Sequence, residues 1–136
     1  MHFSLPVTDI PPIPRPSLPP HNKVVNAQPV LDTAQLRDVT LNDGDLMRDL
    51  VAALLEDTSG QLKLLENAIR EGDSRKCTRL AHYSKGACAN LGAGRAATVL
   101  KQIETAAAAG QFHDCSQSLA ALSRELDLLR SASLAL

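Results

Sequence analysis

The sequence predicts an all-α fold: an antiparallel four-helix bundle with a short extra N-terminal helix and a disordered proline-rich leader. Three observations carry this. Alanine and leucine are abundant while aromatic residues make up only 2% of the chain, which favours helix over sheet. Apolar residues recur at spacings of three and four, and no segment alternates as a strand would. Glycine and aspartate punctuate those periodic runs where helices would stop and start. At 136 residues there is room for one domain with one modest core.

Residues 1–29 hold all eight prolines, with Pro11-Pro12-Ile13-Pro14-Arg15-Pro16 at the centre. Proline has no backbone donor and pushes the preceding residue to extended geometry, so this segment reads as a flexible or polyproline-II-like leader. A docking peptide using PxxP spacing with Arg15 is the sharper but less favoured alternative. The domain proper is expected over residues 30–133. Asp32 can cap a short helix over about Thr33 to Val39, with Gln35 completing a spacing like a capping box. Asn42 or Asp43 can cap the next helix. Its expected apolar face is Leu46, Leu50, Leu54, Leu62, Leu65 and Ile69, flanked by Val51 and Leu55. Asp57-Thr58-Ser59-Gly60 interrupts this run and is read as a kink or brief irregularity. Gly72 ends the helix, and Asp73 or Ser74 caps another that Gly92 and Gly94 terminate. A further helix is expected from about Arg95 to Ala109 on Val99, Leu100 and Ile103, stopped by Gly110. The last uses Cys115, Leu119, Leu122, Leu126 and Leu129. Such helices joined by short turns give an antiparallel bundle.

The helix after Gly72 carries the most informative string, Ala81-His82-Tyr83-Ser84-Lys85-Gly86-Ala87-Cys88-Ala89-Asn90-Leu91-Gly92-Ala93. On a helix His82 shares a face with Lys85 and Gly86, with Arg79 one turn back and Arg75 and Ala89 two turns away. Cys77, Leu80, Ala81, Ser84, Ala87, Cys88 and Leu91 form the opposite, mostly small and apolar face. His82 should therefore point into solvent, flanked by positive charge and beside a residue with no side chain. Tyr83 is expected to pack against a neighbouring helix. Ser84 should face the core and bond back to the carbonyl four residues earlier. His2, His21 and His113 have no comparable context, and His113-Asp114-Cys115 alone does not make a metal site.

The spacing His82-x-x-Lys85-Gly86, followed by Asn90-Leu91-Gly92-Ala93, resembles the signature of histidine-phosphotransfer (HPt) domains. The flanking segments Val30-Leu31-Asp32, Asp43-Gly44-Asp45-Leu46 and Ile69-Arg70-Glu71-Gly72-Asp73 are similar to the layout of that family, so the resemblance covers about residues 30–133. It implies a four-helix module that relays phosphoryl groups between receiver domains. It further implies that His82 is the phosphorylated residue and Lys85 its assistant. Arg75, Thr78, Arg79, Gly86, Ala89 and Asn90 would then form the partner-binding surface. In the family the receiver supplies the phosphorylated aspartate and Mg2+, so no cofactor or metal is expected of this chain itself.

The residue chemistry agrees. Neutral imidazole is a good nucleophile at cellular pH. Lys85 can offset charge on phosphoryl oxygens, and Gly86 leaves room for a partner's acidic site. The chain has no Gly-rich phosphate loop, no nucleotide-binding pattern and no acidic cluster around His82, so it is read as a phosphocarrier and not an enzyme. Two alternatives stand beside this: a non-catalytic bundle that only binds receivers, and the C-terminal piece of a hybrid histidine kinase. A kinase dimerisation helix fits less well, because Tyr83 and Ser84 follow the histidine where that family has an acidic residue.

The net charge of −1, with no long run of one sign, argues against nucleic acid as a partner. No apolar stretch matches a membrane span or a secretion signal, so a cytoplasmic monomer is expected. Cys77 and Cys88 lie about 16 Å apart along one helix and cannot bridge each other. Cys115 is free to pair with either, but three buried thiols in a reducing compartment are the simpler reading.

Overall fold

A computed structural model describes residues 28–136, so nearly all of the expected leader lies outside the described residues. Within them the chain forms five helices and no strand: α1 Thr33–Val39, α2 Gly44–Glu71, α3 Ser74–Asn90, α4 Gly94–Ala108 and α5 Phe112–Ser133. Three aspartates set the first three starts. Asp32, Asp43 and Asp73 each accept a hydrogen bond from the backbone N–H three residues on, at 3.1, 3.1 and 3.0 Å. Each such cap is worth about 1 kcal/mol. Gly72 closes α2 in the left-handed conformation, φ 68°, and α3 begins two residues later.

Consecutive helices from α2 to α5 pack side by side and α5 returns to α2, closing an antiparallel bundle. Leu65, Leu100, Ile103, Leu122 and Leu129 fill its centre and are almost fully buried.

Two expectations for α2 are corrected. The helix runs unbroken through Asp57–Gly60. Thr58 turns inward, 1% exposed, with its hydroxyl 3.9 Å from the Cys88 sulfur, while Gly60 faces open space. Packing against α3 thus overrides the low local helix propensity. The buried stripe is also rotated from the expected one. Met47, Val51, Leu54, Leu55, Thr58, Leu65 and Ala68 are buried, whereas Leu46 is exposed and Leu50 half-buried.

The short α1 is tied to the far end of α3. The Asp32 N–H donates to the Gly92 carbonyl at 2.8 Å, and Gln35 Nε2 donates to the Ala89 carbonyl at 2.7 Å. Gln35 therefore does not complete a capping box with Asp32. Gly92 allows the close approach: its φ is +86°, and a Cβ there would lie 2.7 Å from the Asp32 carbonyl oxygen. Gly92→Ala should destabilise the fold by about 2 kcal/mol, since strain and clash act together. Urea unfolding checks this through a lowered midpoint at unchanged slope.

An ion pair crosses the bundle end, with Arg95 Nη2 2.8 Å from Glu125 Oε2 and both side chains largely buried. Glu125 stands three residues after Leu122 and four before Leu129, so it shares the buried face of the α5 leucines, a position the apolar pattern alone does not mark. All three cysteines are buried free thiols. Burial raises the Cys77 thiol to about 12 and the Cys88 thiol to about 11, and it raises Cys115 as well. These sulfurs therefore stay protonated and act as small apolar side chains.

Candidate functional site

The site is built where α3 packs along α4. Its inner face is Cys77, Ala81, Ser84 and Cys88, all fully buried. That burial fixes the rotation of the helix and turns His82 outward, with its side chain 68% exposed. Arg75, Arg79, Gly86, Ala89 and Asn90 are exposed on the same side, and Thr78 is half-buried. The Thr78 hydroxyl donates to the Ser74 carbonyl at 2.8 Å.

Two neighbours of His82 behave differently from expectation. Tyr83 is 56% exposed and stands on the outer surface beside the histidine instead of packing on another helix. It lies about 100° further round the helix, beyond the reach of α4. Ser84 is buried, but its Oγ makes no hydrogen bond among the described residues, so the expected bond to the carbonyl four residues earlier does not form. An unsatisfied buried hydroxyl costs about 1 kcal/mol or more.

The structure adds a residue that sequence reasoning did not place here. Glu104, on α4, reaches across with both carboxylate oxygens. Oε2 lies 2.9 Å from His82 Nδ1, and Oε1 accepts from Lys85 Nζ at 2.7 Å. The Glu104 side chain is 19% exposed and that of Lys85 24%, so the ammonium–carboxylate pair is partly shielded from water. The hydrogen bond from Lys85 holds the Glu104 carboxyl below its ordinary range. Partial burial opposes this, and the His82 hydrogen bond adds to it.

That charge state decides the chemistry of the ring. A carboxylate can only accept, so His82 Nδ1 must carry the proton. In the neutral ring Nε2 is then the nitrogen left with a lone pair, on the edge away from Glu104. As the ring gains positive charge on bonding to an electrophile, the carboxylate stabilises it. Lys85, by contrast, has its charge already compensated by Glu104.

Arg75, Thr78, Arg79 and His82 line one open groove together with Ser74 and Glu104. Gly86, Ala89 and Asn90 continue the helix face beyond it. A Cβ at Gly86 would meet nothing within 4 Å, so the protein's own packing does not require glycine there.

A family model described as the Hpt domain matches residues 49–132, which include α3, α4 and most of α2 and α5. No curated protein gives a significant match. Among solved structures, histidine-containing phosphotransfer protein B (HptB) from Pseudomonas aeruginosa PAO1 superposes with a TM-score of 0.72 at 26% identity, covering 77% of this chain and 91% of that one. Histidine-containing phosphotransfer protein MtHPt2 from Medicago truncatula gives a TM-score of 0.68 at 24% identity, covering 84% of this chain and 80% of that one, a likeness of fold. With the bundle, the outward His82 and the matched span in agreement, the chain belongs to the Hpt domain family.

Proposed function

We propose that this protein is a histidine phosphotransfer carrier: His82 accepts a phosphoryl group from the aspartate of one receiver domain and passes it to another. The observation that supports this best is the exposed imidazole whose Nδ1 is engaged by Glu104, leaving Nε2 as the nucleophile. In the transfer Nε2 forms the N–P bond as the acyl phosphate P–O bond breaks. The aspartate leaves as a carboxylate, and the proton on Nδ1 stays in place against Glu104. The receiver brings the phosphorylated aspartate and Mg2+, and this chain brings the nucleophile on a rigid helix that needs little reorganisation. Receivers of response regulators and of hybrid histidine kinases are the partners this chemistry fits. The described residues include no helix long and apolar enough to cross a membrane.

Incubation of the protein with a phosphorylated receiver tests the reading. Label should appear on the protein as an acid-labile adduct and move onward to a second receiver. Failure with every receiver of a broad panel would contradict it.

Two substitutions probe the parts. Glu104→Gln keeps the shape but loses the charge that favours the ring cation, so transfer should slow roughly tenfold, the worth of one charge-assisted hydrogen bond. Single-turnover kinetics would show it, and an unchanged rate would remove Glu104 from the mechanism. Gly86→Leu places a bulky side chain in open space on the docking face. Receiver binding measured by calorimetry should weaken at least tenfold, a loss of about 1.4 kcal/mol, while helicity is retained.

A further inference from the structure

We infer that Arg79 and Arg75, and not Lys85, hold the phosphoryl group once it is on His82, an inference that rests on the carrier reading above. Three cations share the exposed side of α3, and their states differ. Lys85 is half-buried and bound to Glu104 at 2.7 Å. Arg75 and Arg79 are exposed and make no salt bridge among the described residues, yet both line the groove that His82 and Glu104 share.

Direction separates them too. Three residues in either direction along a helix turn the side chain about 60° to opposite sides. Lys85, at i+3 from His82, falls on the flank that meets α4, as its bond to Glu104 shows. Arg79, at i−3, starts from the other flank of His82 and lines the groove beside it. Arg75 lies two turns back, nearly in line with His82.

Charge gives an independent reason. A phosphoryl group brings about −1.5 to −2 charges. Glu104 already stands beside the ring with one negative charge, which Lys85 cancels. The incoming charge is therefore met by two guanidiniums whose forks match phosphoryl oxygens. In a loose, metaphosphate-like transition state for hydrolysis the P–N bonding pair returns to the ring nitrogen, so the phosphoryl oxygens carry less negative charge than in the intact adduct. The arginines then stabilise the phosphorylated ground state more than the transition state, which lengthens its life between partners.

The full-length protein can be charged without a receiver by using phosphoramidate. The imidazole Nε2 bonds to phosphorus, the P–N bond of the donor breaks and ammonia leaves, while Nδ1 keeps its proton. The half-life of the acid-labile adduct is then followed at neutral pH for the wild type, Arg75→Gln, Arg79→Gln and the double variant, with His82→Gln as the blank. Both arginines are exposed, so circular dichroism should be unchanged. Removing Arg79 should shorten the half-life roughly threefold and removing both about tenfold, and the difference should shrink in molar salt. An adduct on the double variant that lasts as long as on the wild type would overturn the arginine inference alone. No His82 adduct on the wild type would overturn the carrier reading with it.

Discussion

His82→Gln should abolish acid-labile phosphorylation completely while leaving the fold intact. The two halves of that expectation have separate causes. Glutamine keeps a polar side chain that can still donate to Glu104, but its amide has no nucleophilic lone pair to form an N–P bond. The side chain is 68% exposed and fills no part of the core, so unfolding free energy should change by no more than about 0.5 kcal/mol. Label transferred from a phosphorylated receiver, compared with a urea melt, reads both. Residual label on the variant would move the accepting group elsewhere.

Breaking the ion pair at the bundle end should have the largest effect on stability. Arg95→Met leaves the Glu125 carboxylate largely buried without its partner, and Glu125 Oε1 already has no hydrogen bond among the described residues. The cost should be about 3 kcal/mol, most of it the desolvation of an uncompensated charge. Combining it with Glu125→Leu removes that charge and should restore most of the loss. A double-mutant cycle from denaturant melts therefore measures the coupling directly. If Arg95→Met alone proved neutral, the pair would not be structural.

His82 was legible because local spacing sufficed. Small apolar residues on one side of α3 and His82, Gly86 and two arginines on the other fix the rotation of the helix without knowledge of any neighbour. The helix starts were equally local, since Asp32, Asp43 and Asp73 each cap through a bond to a residue three positions on. Glu104 was hidden because its meaning comes from packing. On α4 it is one charged residue between Ile103 and Thr105, and only the hairpin turn at Leu91–Ala93 brings it opposite His82 and Lys85. Residues at similar distances on either side of that turn face each other, so the register of an antiparallel pair was the available signal. The rotated stripe of α2 failed for a related reason. Periodicity gives the existence of an apolar face, but which of Leu46 and Met47 is covered depends on where α1 and the neighbouring helices lie. Thr58 shows the same limit, as a turn-forming residue type held in helix by its burial against Cys88.

Lys85 changes meaning in the light of Glu104. By spacing alone it is, with Arg79, one of two cations three residues from His82. In the structure it neutralises the carboxylate that sets the tautomer of the His82 ring, and so acts on His82 through Glu104.

Which ring nitrogen carries the phosphoryl group is the most direct question to put to this arrangement. Protein labelled with 15N-histidine and charged by a phosphorylated receiver would show it through 31P–15N coupling. Glu104 holding Nδ1 requires the phosphoryl group on Nε2 of His82. A phosphoryl group on Nδ1, or on any other residue, would contradict it.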